Sequence, residues 1–263
     1  MDERPILTSL SNTLVKRVRA LKTRKGRTAS DSFLVEGLHH IGSALEAGWE
    51  MDILLYAPDL LHGNYAESLL DEARRTGMSL QPVSSKVMES LAEKDNPQGI
   101  LAVARQRRWD FSELPEIRSS IALVSPQDPG NVGTILRTLD AVIADALFIL
   151  EGGVELYHPT CVRASMGAIF WKPVLQAGFD DFVNWAKERG IRLVGTSAHA
   201  QVDYREASLG EHPWILVLGS EQTGLSHRQV TACDMTVSLP MRGRVSSLNL
   251  AVAAGILLYA LNT

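Results

Sequence analysis

Three stretches in the second half of the chain combine chemically able side chains with the glycines and prolines that bring backbone close to a ligand. The first runs Ser125-Pro126-Gln127-Asp128-Pro129-Gly130-Asn131-Val132-Gly133-Thr134-Ile135-Leu136-Arg137-Thr138. Pro-Gly makes a turn, Asn131 is a candidate helix cap, and Arg137 follows about one and two-thirds turns further along the helix. The second, Gly219-Ser220-Glu221-Gln222-Thr223-Gly224, brackets a glutamate with glycines directly after the apolar run Leu216-Val217-Leu218. Glycine there permits close approach of a ligand to the backbone. The third runs from Leu239 through Met241, Arg242, Gly243, Arg244, Ser246, Ser247, Leu248 and Asn249 to Gly255. Ser246 or Ser247 can cap the final helix, which puts Asn249 in its first turn. A buried amide at that point needs a partner or costs about 1–3 kcal/mol. Taken singly, each stretch also reads as an ordinary structural turn with a capped helix.

Several chemistries are missing. No GxGxxG follows a strand in this half, so the dinucleotide fingerprint is absent. Cys161 and Cys233 are the only cysteines and have no metal-ligand spacing, so neither a zinc site nor a disulfide framework is expected. His39-His40 lacks an accompanying acid or cysteine cluster and reads as helix-surface histidine, so no metal is expected; Cys161 reads as a buried small hydrophobe.

The elements that must position the three loops alternate strand and helix. Ile121–Val124, Ala146–Leu150, Leu193–Gly195 and Trp214–Leu218 read as buried strands, with helices at Val132–Ala141, Pro159–Gly167, Phe179–Arg189 and Ser247–Ala260. Loops leaving strand ends are where α/β proteins place ligands. The last helix carries Leu250, Val252, Ala253, Ile256, Leu257 and Tyr259, apolar on more than one face, so it needs cover on several sides.

The first hundred residues make a separate α/β layer. Leu14, Val18 and Leu21 give a first helix one apolar face; strands follow at Phe33–Val35, Ile53–Tyr56, Leu80–Val83 and Ile100–Ala104, with helices through Ala44–Leu45, over Tyr65–Thr76 and after a Ser84 or Ser85 cap. The expected division is 1–106 as one domain, 107–119 as a linker and 120–263 as a second α/β domain. The 263-residue chain is 45% hydrophobic and carries a net charge of −4, so total charge gives no sign of a nucleic-acid partner. Locally the picture differs: Lys16, Arg17, Arg19, Lys22, Arg24, Lys25 and Arg27 follow one another without an acid. A basic patch on an otherwise acidic protein is a candidate phosphate-binding surface, with Lys22, Arg24, Lys25 and Arg27 as its proposed contacts. The N-terminus lacks the apolar stretch of a signal peptide, and the longest apolar run, Leu248 to Leu261, is too short to span a bilayer, so no membrane association and a cytoplasmic location are expected.

Together and in this order, the three loops resemble the motifs of the SpoU/TrmH branch of the SPOUT RNA methyltransferases. Phe33-Leu34-Val35-Glu36-Gly37 and Asn96-Pro97-Gln98-Gly99-Ile100-Leu101-Ala102-Val103 resemble that family's N-terminal substrate-binding domain, so the likeness spans the chain. It implies a small RNA-binding α/β domain followed by a knotted α/β domain that binds S-adenosylmethionine (AdoMet) and works as a homodimer. Carried over residue by residue, it makes Asn131, Arg137, Glu221, Ser247 and Asn249 the catalytic and site-organising set. Gly219, Leu239 and Leu248, with Thr196 and Met241, would hold the cofactor. Separately, Arg163, basic and in a helix after a glycine-rich turn, is a candidate contact to the RNA of the partner subunit. Relatives often have glycine where Ile143 stands. The implied reaction is methyl transfer to a ribose 2′-hydroxyl, in ribosomal RNA in preference to tRNA. A guanidinium titrates above about pH 12 and is a poor base, so Arg137 is expected to bind phosphate and stabilise alkoxide charge, oriented by Asn249 and Ser247. A tRNA substrate, a base-methylating activity and a non-catalytic RNA-binding role are the alternatives.

Overall fold

The computed structural model describes residues 4–93 and 96–262. The chain divides into two compact units: the residues up to Arg107 together with Tyr157–Phe170, and Arg108–Leu156 together with the residues from Trp171 onward.

The first unit opens with helices α1 (Thr13–Ala20) and α2 (Arg24–Ser30), then alternates β1 (Ser32–Glu36), α3 (Leu38–Glu46), β2 (Met51–Tyr56), α4 (Asn64–Arg75), β3 (Leu80–Pro82), α5 (Ser85–Leu91) and β4 (Ile100–Arg105). Its four strands lie in the order β1-β4-β2-β3, with β4 antiparallel to both neighbours and β2 parallel to β3. Asn12 caps α1 by accepting from the Leu14 amide, and α1 turns Val15 and Val18 into a core with Leu55, Met88, Leu91 and Leu101. Helix α2 escapes a periodicity search because it has almost no apolar residue: Thr23 caps it, and the side chain it buries is Arg27.

The second unit is a wholly parallel sheet among the described residues, ordered β7-β6-β5-β10-β8-β11-β9. Its elements are β5 (Ser119–Val124), α6 (Pro129–Ala141) and β6 (Leu147–Leu150), then α7 (Pro159–Ala164), which falls in the first unit, then β7 (Val174–Ala177) and α8 (Phe179–Glu188). The chain continues through β8 (Arg192–Thr196), β9 (Val202–Asp203), β10 (Trp214–Leu218), α9 (His227–Ala232), β11 (Met235–Ser238) and α10 (Leu250–Leu261). Strands buried on both faces read as continuous apolar runs, as Trp214–Leu218 does with all five residues buried. From β5 the connections run outward one way to β6 and β7 and the other way to β10 and its neighbours, so strand order reverses between β5 and β10. The crevice outside the carboxyl ends of strands at such a reversal is the favoured ligand position.

Helix α6 ends with Ile143 in the left-handed region, φ 59°, where its amide donates to Asp140 and that of Ala144 to Leu139. This closing turn favours glycine, and a β-branched residue there is strained. Tyr157–Phe170 packs within the first unit: the Phe33 ring lies 4.4 Å from Tyr157 and 6.5 Å from Phe170, and Tyr157 Oη donates to the Arg107 carbonyl at 2.6 Å. Burial pushes the Tyr157 hydroxyl well above its usual range. Cys161 is fully buried, as expected, and its thiol is pushed up to about 12 by desolvation, which leaves it unreactive.

Candidate functional site

The loops that leave β5, β8, β10 and β11 meet at the carboxyl edge of the parallel sheet. After β5, Asp128 rather than Asn131 caps α6, its Oδ1 accepting from the amides of Gly130 (2.6 Å) and Asn131 (3.2 Å), with Pro129 in the first turn. Asn131 is thereby freed for another task. After β10, the turn Ser220–Gly224 closes on itself through the Gly224 amide to the Ser220 carbonyl (2.9 Å). A Cβ on Gly219 would lie 2.0 Å from the Gly224 carbonyl carbon and 2.2 Å from the Leu225 nitrogen, so glycine is required first by the loop's own backbone. After β11, residues 239–248 lead into α10, whose cap is Asn249 itself, Oδ1 accepting from Ala251 (2.9 Å) and Val252 (3.3 Å); neither Ser246 nor Ser247 caps it.

These loops are joined by one polar chain. Glu221 accepts from the amides of Gln127 (3.1 Å) and Asp128 (3.4 Å) and from Asn131 Nδ2 (3.2 Å). Asn131 Oδ1 accepts from Asn249 Nδ2 at 2.9 Å. Every polar atom in this chain is used in one sense only: the carboxylate accepts, Asn131 donates to it and accepts from Asn249, and Asn249 donates to Asn131 while capping α10. The expected partner of Asn249 therefore exists, although Asn249 is exposed rather than buried, so orientation rather than desolvation is what it satisfies. Glu221 also sits at the amino end of α6, where the helix dipole favours negative charge.

Beside this chain lies a cavity of about 990 Å³. Its walls include all five residues expected to hold a cofactor, Thr196, Gly219, Leu239, Met241 and Leu248, together with Glu221, Ser247 and Asn249. Thr196 Oγ1 donates to the Val217 carbonyl (3.2 Å), which ties the β8 and β10 ends together. Asn131 joins the cavity through its two bonds, without lining it. Arg137 does neither: it is exposed on α6, makes no hydrogen bond or ion pair among the described residues, and is not oriented by Asn249 or Ser247. The volume suits a cofactor-sized ligand. Residues 239–248 make no hydrogen bond to other described residues, so their cavity-facing amides and carbonyls are available to a nucleoside.

In the first unit the basic segment separates into two groups. Arg27 is 2% exposed and donates through Nη1 to the carbonyls of Leu21 (2.8 Å) and Lys22 (3.1 Å), so it serves the turn between α1 and α2 and is no phosphate contact. Lys22 Nζ donates to the Ala92 carbonyl (2.6 Å), and Arg19 Nη2 to Ser90 Oγ (3.0 Å). Lys16, Arg17, Arg24 and Lys25 are exposed. His39 is an exposed helix residue, as expected; His40 is half-buried, its Nε2 3.3 Å from the Arg163 carbonyl, a contact within the first unit. Among the described residues no cluster of three or more His, Cys, Asp or Glu is placed to hold a metal. No helix is long and apolar enough to cross a membrane among them.

The chain resembles known proteins over most of its length. The model of the SpoU rRNA methylase family matches residues 118–259, and that of the MRM3-like substrate-binding domain matches residues 12–102. The chain is 33% identical to a 23S rRNA (uridine(2479)-2′-O)-methyltransferase of Streptomyces viridochromogenes, over 91% of this chain and 85% of that protein. It is 30% identical to the 23S rRNA (guanosine(2553)-2′-O)-methyltransferase RlmP of Bacillus subtilis, over 96% of this chain and 97% of that protein. The crystal structure of an AdoMet-bound rRNA methyltransferase from Sinorhizobium meliloti superposes with a TM-score of 0.89 at 33% identity, covering 97% of this chain and 96% of that one.

Proposed function

The chain belongs to the SpoU rRNA methylase family and is an AdoMet-dependent RNA methyltransferase, and we propose that it methylates a ribose 2′-hydroxyl in 23S ribosomal RNA in the cytoplasm. The observation that carries this reading is the Glu221–Asn131–Asn249 chain at the edge of a cavity walled by all five expected cofactor residues. Bound there, AdoMet supplies a methyl group activated on a sulfonium. The knotted threading expected of the last segments belongs to the same reading.

The residues divide the work. Glu221 is the organiser: as an acceptor from two amides and one side chain it holds the β5 and β10 loops together, and a carboxylate so engaged stays out of the reaction. Asn131 and Asn249 fix each other and, with Ser247, orient the ribose at the cavity. Arg137, with no partner among the described residues, binds the phosphate beside the target and stabilises charge on the 2′-oxygen as its proton is lost. Lys16, Arg17, Arg24 and Lys25 collect RNA on the first unit. A second copy covers the α10 stripe of exposed Val252 and Tyr259 with half-buried Ile256 between them, spaced i, i+4, i+7. The two units read as a substrate-binding and a methyltransferase domain; the expected linker, 107–119, falls almost wholly in the second unit, where Trp109, Phe111 and Leu114 pack against the core.

The test is transfer of labelled methyl from AdoMet to 23S ribosomal RNA, followed by nucleoside analysis. Label in a 2′-O-methylnucleoside of that RNA is expected. Label confined to tRNA or to a base would overturn the substrate assignment, and RNA binding without transfer would leave only a platform.

A further inference from the structure

The segment 239–248 divides into ends that face the cavity and a middle that does not. Leu239, Pro240 and Met241 on one side, and Ser246, Ser247 and Leu248 on the other, line it. The four residues between, Arg242 to Val245, are exposed and form no part of its wall. The segment thus arches past the cavity with two arginines at its crest.

Both guanidiniums lack a protein partner among the described residues. An acid does face Arg242: its charge helps to hold the Asp203 carboxyl down to about 2, behind the larger effect of the Arg205 side-chain hydrogen bond. That carboxylate is already spent, since Arg205 Nε donates to Asp203 Oδ1 at 2.9 Å and the Arg205 amide to the same oxygen at 3.1 Å. The acid in the cavity wall, Glu221, is committed to Gln127, Asp128 and Asn131. Among the described residues, these two cations sit on ten residues that make no hydrogen bond, and the one acid that feels Arg242 is engaged by Arg205. Such a segment also moves at little cost, because no hydrogen bond has to be broken.

We infer that Arg242 and Arg244 are positioning residues that grip the phosphodiesters flanking the target ribose as it enters the cavity. Phosphates lie on either side of a 2′-oxygen, so groups that hold them belong at the rim, while the cavity itself takes the methyl donor. Arginine suits this place, because its planar fork matches two phosphate oxygens at once. The inference rests on the proposed RNA methyltransferase function, and the experiment separates the two.

Methyl transfer to a 23S ribosomal RNA transcript, and binding of fluorescein-labelled poly(U) against salt, are measured for the wild type, Arg242→Gln/Arg244→Gln and a control, Lys187→Gln/Arg189→Gln. The control removes the same charge at the end of α8, which leads into the amino end of β8 and so lies at the opposite edge of the sheet. The rim variant is expected to raise KM for RNA about tenfold and to leave kcat and AdoMet affinity near wild type. Its slope of log affinity against log salt should fall by roughly 1.4, two contacts at about 0.7 each for single strands. The control should change neither. A rim variant with wild-type KM and slope would overturn the inference while the wild type's activity upheld the function. A wild type that transfers no methyl would overturn the function, and the salt slope would still decide whether the rim holds phosphate.

Discussion

Two basic segments of this protein look alike in sequence and behave differently in the fold. Lys16–Arg27 has the greater density of charge, yet Arg19, Lys22 and Arg27 direct theirs to Ser90 and to the carbonyls of Ala92, Leu21 and Lys22. The segment 239–248 has only Arg242 and Arg244, and neither makes a hydrogen bond or ion pair among the described residues. The difference lies in what surrounds each cation. Where helices end close together, unpaired carbonyls collect arginine and lysine donors. Where a loop passes a cavity, the acid that faces Arg242, Asp203, is already engaged by Arg205. Charge counted along a chain therefore overstates the charge presented to a partner, by three residues in seven in the first segment.

The comparison breaks most directly at Arg137, an exposed cation with no hydrogen bond or ion pair among the described residues. Arg137→Ala should lower kcat by about 10²-fold or more and leave AdoMet affinity within a few-fold, the cost of losing a charge-stabilising donor. Arg137→Lys should rescue little, because a point charge does not reproduce the planar fork. Near-normal turnover of Arg137→Ala on its RNA would move the activating role elsewhere.

Arg27 and Arg24 sharpen it next. Arg27→Met removes a buried donor from two carbonyls and should cost about 2–4 kcal/mol of first-unit stability, read from urea unfolding. Arg24→Met, at an exposed position three residues away, should stay within about 0.5 kcal/mol. RNA affinity should follow the reverse order among folded variants. Equal stability of the two would mean that the Arg27 bonds to Leu21 and Lys22 contribute nothing.

Replacing Lys16, Arg17, Arg24 and Lys25 together with Gln should reduce the salt slope of RNA binding by roughly 3, at about 0.7–0.9 per contact, and leave AdoMet affinity and the unfolding midpoint alone. An unchanged slope would remove α1 and α2 from the RNA surface.

Much of this was legible in the sequence, for identifiable reasons. Buried parallel strands are continuous apolar runs, so β5, β6, β8 and β10 were found nearly to the residue. Strands β7 and β11 were missed because, unlike the equally short and wholly buried β6, they mix polar with apolar residues and are only partly buried. Helix α9 was missed although Ser226 and Gln229 form a capping box, a signal the sequence does carry. Asp128-Pro129 was likewise a readable cap signature, and overlooking it gave Asn131 the wrong task. The three loops were found because glycine and proline mark them. What held them together was not, since Glu221 and Asn131 are 90 residues apart and hydrogen bonds of that span leave no periodicity. The return of Tyr157–Phe170 to the first unit was hidden for the same reason: it depends on rings such as Phe33 and Tyr157, far apart in the chain.

The smallest expected effect compares two helix ends. Helix α2 stops at Asp31, φ 49°, and α6 stops at Val142 followed by Ile143, φ 59°. Aspartate tolerates the left-handed region because its short polar side chain bonds locally, whereas a β-branched residue there costs about 1–2 kcal/mol. Ile143 is 81% exposed, so its side chain repays little of that strain within the chain. Ile143→Gly should relieve the strain and lose part of the gain to the greater freedom of glycine in the unfolded chain, a net stabilisation of about 0.5–1 kcal/mol. Asp31→Gly should gain less. Thermal unfolding at low protein concentration reads both. If Ile143→Gly instead destabilises the protein, and more so as concentration rises, the isoleucine is being covered by a second copy. The strain at the end of α6 would then be held in place by that contact, and Ile143 would join Val252, Ile256 and Tyr259 in the interface.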